Sequence, residues 1–286
     1  MSTDASHALP FSPALRRLRR DRAHAGFAEY DFLYRRMAEE LLDRLDDVSR
    51  EFSDVLLVGT PDSFLRDTLA ATGKTVSCAD PGARNAQAAG GVQAEEDALP
   101  FAPGSFDLVI ACGTLDSVND LPGALIQFNH LLRPDGLMLA AFMGAGSLPR
   151  LRAALLAAEG DRPAQHVHPQ VDVRAAGDLL ARAGFAMPVA DSDSVDVRYS
   201  SLFSLMADLR GMAASNMLAS QPPPLTRATL ARAAAHFGAA AGPDGKTAEQ
   251  FGLIYMSGWK PDPSQPRAAR RGSGKVSLAE ALKPKE

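Results

Sequence analysis

Only two cysteines, one tryptophan and four tyrosines occur in the 286 residues. Cys78 and Cys112 both sit inside short apolar runs, which excludes a disulfide framework and a thiolate metal cluster, so no metal site is expected. No excess of positive charge is present either: 30 basic against 34 acidic residues leave a formal charge of -4, and nucleic acid is not an expected partner. No apolar run approaches the ~18 residues of a membrane span, and the N-terminus has no signal-peptide core. These absences together point to a cytoplasmic protein with no membrane span. One more shortage bears on function. Glycine is common overall, at 23 residues, yet between positions 55 and 63 the segment VLLVGTPDS holds only Gly59.

What is present is an alternation of short apolar strands with helical stretches. The segment FDLVIACGTLDSVNDLPGALIQFNHLLRPDGLMLAAF over residues 106–142 reads as strand, helix, turn and strand, the order that makes a parallel sheet with right-handed crossovers. VLLVG and TVSCAD supply earlier strands around a helix over 63–71, and Gly136 is placed to take positive φ in the turn Arg133-Pro134-Asp135-Gly136. Upstream, Phe32, Leu33, Met37, Leu41, Leu42 and Leu45 recur at helical spacing in a helix that begins near Glu29 and packs on the sheet. Downstream, helices are expected after Phe142, over 173–183 with Gly184 as its stop, and in SLFSLMADLRGM. AMPVADSD, DVRYSS and FGLIYMSGWK are the remaining strand candidates.

Three segments follow from this pattern. Residues 1–28 form a polar arm whose RRLRRDR cluster at 16–22 reads as a solvated arm or a docking patch. Residues 29–260 form an α/β domain with a helical insertion near 200–245. Residues 261–286 form a flexible basic tail with a short helix over 277–282.

Ligands of an open parallel sheet bind beyond the carboxyl ends of its strands, here Gly59, Asp80 and the stretch from Cys112 to Asp116. Asp80 stands 21 residues beyond Gly59, close to the ~20-residue offset of a ribose-binding acid; a turn acid before Pro81-Gly82 is the alternative. Asp97 could meet an adenine edge or belong to an acidic loop with Glu95 and Glu96. Cys112 and Gly113 would line the pocket with backbone. Asp116 and His166 are the reactive-looking candidates, with capping by Asp116, Ser117 or Asn119 as the competing role. His168 lies two residues beyond His166, and Tyr199, Asn216, Tyr255 and Trp259 read as core or site.

The order of elements, with EEDALPFAPGSFDLVI and HLLRPDGLMLAAF, resembles the class I S-adenosylmethionine-dependent methyltransferase superfamily. Within it, FSPALRRLRRDRA, GDLLARAGF, FSLMADLRGMAASN, IYMSGWK and RGSGKVS resemble the complex I assembly-factor family of this fold, over residues 11–282. A more distant likeness is to the malonyl-carrier-protein methyltransferases. The resemblance implies a Rossmann-like, seven-stranded, mostly parallel sheet with helices on both faces, S-adenosylmethionine as cofactor, a respiratory complex I subunit or assembly intermediate as protein partner, and hydroxylation of an arginine or methylation as the reaction. It also places His166 on a histidine of the family.

The chain departs from that family in two places. Leu57, Val58, Gly59, Thr60, Pro61, Asp62 and Ser63 stand where the family has Asp-x-Gly-Cys-Gly-x-Gly, so only the first glycine remains and Pro61 deletes an amide donor. Leu115, Asp116, Ser117, Val118, Asn119 and Asp120 stand where it has Leu-His-Trp-Val-Asn-Asp. Three readings follow: a methyltransferase-like assembly factor that modifies or chaperones a subunit, a non-catalytic pseudoenzyme with a degenerate cofactor loop, and an active small-molecule methyltransferase.

Overall fold

The computed structural model describes residues 9–160 and 163–265. The tail helix expected over 277–282 and the RGSGKVS segment lie outside the described residues, as do positions 1–8.

Among the described residues seven strands form one sheet: β1 (Asp54–Val58), β2 (Thr75–Asp80), β3 (Val92–Gln93), β4 (Phe106–Cys112), β5 (Leu132–Gly144), β6 (Ala186–Tyr199) and β7 (Thr247–Trp259). Their order is β3-β2-β1-β4-β5-β7-β6, with β7 antiparallel to both of its neighbours and the other pairs parallel. This is the Rossmann-like arrangement expected of the sequence. AMPVADSD and DVRYSS are one strand, β6, rather than two.

Strand alternation divides the core. Leu56, Val58, Val109, Ala111, Met138 and Phe142 face one side, where α5 (Leu121–Leu131) and α7 (Val173–Arg182) cover them with Leu125, Phe128 and Leu180. Val55, Leu57, Leu108, Ile110 and Leu139 face the other, against α2 (Phe32–Asp46) and α3 (Phe64–Ala71) through Met37, Leu41, Leu65 and Leu69. Each of these side chains is almost fully buried, which at ~1.5–3 kcal/mol apiece accounts for a rigid sheet. A third cluster joins α6 (Pro149–Glu159), α8 (Leu202–Gly211) and α9 (Arg227–Ala239) around Leu155, Leu205, Phe237 and Phe251. Tyr199 and Tyr255 are core residues, and Trp259 packs against Phe52.

Helix ends follow side-chain chemistry. Asp120 caps α5 by accepting from Gly123 N, Asp172 caps α7, and Ser201 with Ser204 forms a capping box on α8. The cap of α5 is therefore Asp120, and Asp116, Ser117 and Asn119 are released for other contacts. In the turn Arg133-Pro134-Asp135-Gly136, which falls in the first residues of β5, Asp135 takes the positive φ (59°), not Gly136. Gly136 is needed for space instead, since a Cβ there would lie 2.9 Å from Arg133 O and 3.0 Å from Asp107 O.

The arginine-rich N-terminal segment is not a solvated arm. It forms α1 (Pro13–Ala23), opened by Pro13 and by Ser12 Oγ accepting from Leu15 N. Backbone hydrogen bonds Ser12 N to Met217 O and Ala219 N to Pro10 O fasten its start across the carboxyl ends of the strands.

Candidate functional site

The chain's polar groups converge at the crown of the sheet, where β1, β2 and β4 end. Gly59, just after β1, has φ 82°, and a Cβ there would stand 2.5 Å from Cys112 O, so only glycine lets the two strand ends approach. Asp80 ends β2 and is fully buried. Its Oδ2 accepts from Thr60 N at 2.8 Å and its Oδ1 from Gly82 N at 2.7 Å. Arg20 of α1 reaches the same carboxylate with both arms, Nε to Oδ1 at 2.9 Å and a terminal nitrogen to Oδ2 at 2.6 Å. Burial works against ionisation of Asp80, but Arg20 and the two amides outweigh it and hold its pKa below the usual carboxylate value.

Arg16, one turn earlier on α1, enters beside β4. Its guanidinium donates to Glu96 Oε2 at 2.6 Å and Oε1 at 2.7 Å, to Glu95 at 2.9 Å, and to Thr114 O at 2.5 Å. Its Nε donates to Ser117 Oγ at 3.1 Å. Arg16 and Glu96 are 3% and 0% exposed, so this is a desolvated, bidentate pair. Asn119 Oδ1 meanwhile accepts from Phe11 N at 2.9 Å. The side chains that the sequence offered as helix caps thus hold the N-terminal segment down.

Asp116 is mostly buried and has His168 Nε2 3.6 Å from its Oδ2. Burial opposes its charge, and the histidine and nearby arginines overcome that and lower its pKa. His168 is buried, meets the Phe11 ring edge-on at 5.5 Å, and leaves Nδ1 without a partner among the described residues. His166, the histidine with the family counterpart, is elsewhere: its Nε2 bonds Glu159 Oε1 at 2.6 Å beside α6 and does not line the crown. Asp97 is half-buried and also stands outside the crown cavity. Gly113 stands on the cavity wall with its O 3.4 Å from Arg20, whereas Cys112, at the end of β4, does not line the cavity.

The void left among these groups is about 70 Å³, well short of the ~300–1,000 Å³ of ordinary small-molecule sites. Arg16, Arg20 and Asp116 form its polar wall, and Tyr34, Met37, Met143 and Met217 form an apolar one. Tyr34 O–H is buried there with no partner among the described residues, and burial raises its pKa well above the ordinary phenol value. Pro61 lines the same void. Asp62 turns away, into a shallow cleft with His24 and Arg66, where burial raises its pKa. A ribose presented to Asp80 would find both oxygens taken, and a carboxylate presented to the first loop would find Thr60 N spent on Asp80 and no N–H at Pro61. As arranged, the residues present do not fit S-adenosylmethionine.

Arg16, Arg20, Glu96 and Tyr34 were not legible as site residues from motifs. The available signal was spacing: Arg16 and Arg20 are four apart, hence on one helix face, and a helix face carrying two arginines opposite Asp80 and Glu96 is what the crown uses.

The model of the family described as "Methyltransferase domain" matches residues 27–188. The arginine-hydroxylase NDUFAF5, mitochondrial, of Danio rerio is 35% identical over 96% of this chain and 89% of that protein, and the human protein of the same name is 35% identical over 88% and 76%. Among solved structures, the Haemonchus contortus phosphoethanolamine N-methyltransferase 2, in complex with phosphomonomethylethanolamine and S-adenosylhomocysteine, superposes with a TM-score of 0.54 at 13% identity, covering 86% of this chain and 60% of that one; the likeness shows the fold. These relatives overturn the cytoplasmic expectation, since the zebrafish, mouse and human proteins are all named as mitochondrial. The absence of a signal-peptide core had suggested the cytoplasm, and that absence says nothing about other routes of targeting. With its sheet order, its domain match and its likeness over nearly its whole length, the chain belongs to the methyltransferase-domain family and, within it, to the family of the NDUFAF5 arginine hydroxylases.

Proposed function

We propose that this chain serves the assembly of respiratory complex I by engaging a protein subunit, with its S-adenosylmethionine site held closed by its own α1. The observation that carries the second half is the two-armed contact of Arg20 with Asp80. The likeness to NDUFAF5 supports the first half. For the cofactor to bind, Arg20 must leave a buried carboxylate, and the loop must manage without the amide that Pro61 lacks. Two such losses at ~1–3 kcal/mol each weaken binding about thirtyfold or more. Gly59, Cys112 and Gly113 remain as a backbone wall that an adenosine could line if α1 lifted, with Asp80 as the ribose acid and Asp97 at the rim.

A modifying activity is the second reading, favoured by the name the relatives carry and by the buried Tyr34 hydroxyl beside the void, which has no partner among the described residues. Asp116 would then be the acid or base nearest a substrate. Calorimetry separates the two readings. S-adenosylmethionine titrated into the purified chain is expected to give no saturable heat in the micromolar range, and tight binding abolished by Asp80→Ala would refute the closed site. Deletion of the gene is expected to lower assembled complex I, and an unchanged content would refute the assembly role.

A further inference from the structure

The outward face of α1 carries a second set of arginines that the crown does not use. Arg19 and Arg22, three apart on α1, and Arg210 at the last turn of α8 line one cleft of about 580 Å³. None of the three lies within 4 Å of a carboxylate among the described residues, whereas Arg16 and Arg20 on the same helix are fully paired. Arg19 feels the cost: burial first, then the like charge of Arg22, lower its pKa. The floor is firm, because the Tyr30 ring lies so close over Gly211 that a Cβ there would stand 2.2 Å from it. Arg19, Arg210 and Ser215 also border an adjoining groove of about 450 Å³ whose wall includes Leu155, Met206 and Leu225.

We propose that this two-part groove docks an acidic segment of a protein partner, its carboxylates on Arg19, Arg22 and Arg210 and an apolar side chain a few residues away in the adjoining groove. The inference rests on the reading that the chain engages a protein, and it names the surface and the chemistry recognised. Charge selects the occupant. The chain's own residues 266–286 carry six basic and two acidic residues, Arg267, Arg270, Arg271, Lys275, Lys283 and Lys285 against Glu280 and Glu286, so they are repelled. A nucleic acid would meet three cations on a molecule of net charge -4 and make no use of the apolar half.

The test uses the full chain and a fluorescein-labelled peptide in which glutamates precede a Leu-Phe pair, read by anisotropy. Two control peptides carry Gln for Glu, or Ser for Leu and Phe. The acidic Leu-Phe peptide is expected to bind best and to weaken with salt. Joint Arg19→Glu and Arg210→Glu reversal is expected to cost at least about tenfold, and Leu225→Ser is expected to weaken the Leu-Phe peptide but not its Ser control. Equal binding of the Gln peptide, indifference to charge reversal, or tighter binding of a single-stranded oligonucleotide would overturn the proposal. Complex I content after gene deletion is read separately: a drop without peptide discrimination refutes the groove alone, and no drop refutes the assembly role.

Discussion

Replacing Arg20 by alanine should destabilise the protein and reverse the way its stability responds to acid. Asp80 is fully buried, and Arg20 is the cation that neutralises it. Breaking a buried pair from one side costs about 3–5 kcal/mol. The low end, about 3 kcal/mol, applies here because Thr60 N, Gly82 N and Asn85 continue to donate to the carboxylate. In the parent, Asp80 titrates below its ordinary value in the native state, so its contribution is present above about pH 4 and is lost as pH falls through the lowered native pKa. In Arg20→Ala, burial without the cation raises the native pKa above the unfolded one. The native state then takes up a proton more readily than the unfolded chain, and stability increases as pH falls from 7 toward 5. Urea unfolding at both pH values measures this without the screening that guanidinium brings. The deficit should be about 3 kcal/mol at pH 7 and visibly smaller at pH 5, and Asp80→Asn in the same background should recover at least about 1 kcal/mol. A deficit under about 1 kcal/mol with an unchanged pH trend would refute the account of the crown as a desolvated ion-pair site.

Three further outcomes are expected. Tyr34→Phe removes a buried hydroxyl without a partner among the described residues, so it should leave stability unchanged or raise it by up to about 1 kcal/mol in urea melts, and a loss of that size would show that the hydroxyl is bonded. Gly59→Ala forces a Cβ to 2.5 Å from Cys112 O at positive φ, so it should cost about 2 kcal/mol or more in the same measurement; a neutral result would mean that the strand ends can spread. Burial pushes the Cys78 thiol up to about 11 and the Cys112 thiol higher still, so neither should react with iodoacetamide in the folded protein at mildly alkaline pH while both react in urea, as counted by mass spectrometry.

The sheet was readable because its strands are short apolar runs set off by helices. Leu56, Val58, Val109 and Met138 alternate with residues of the opposite core, and burial of both faces leaves few ways to arrange them. Asp80 and Gly59 were readable as crown residues because topology alone puts strand ends there. The partners of Asp80 were not, since a run of arginines has the same composition in a solvated arm as in a helix with one face buried. What decided between these was the position of carboxylates 60 and 80 residues away in the chain, at Asp80 and Glu96. His166 and His168 show the same limit: they lie two apart on one loop, yet one faces Glu159 and the other Asp116.

The fastening of α1 has a consequence for how the protein is made. Phe11 and Ser12 leave the ribosome well before Met217 and Leu218, which hold them. Synthesis runs from the N-terminus at about 5–20 residues per second, so the arginine helix waits roughly ten seconds or more for its final anchor. Its carboxylate partners Asp80 and Glu96 are made well before that anchor, so the ion pairs are available to the helix earlier than the backbone clasp. The crown is thus fastened only once Met217 and Leu218 have been made, although the helix that closes it lies far upstream in the chain.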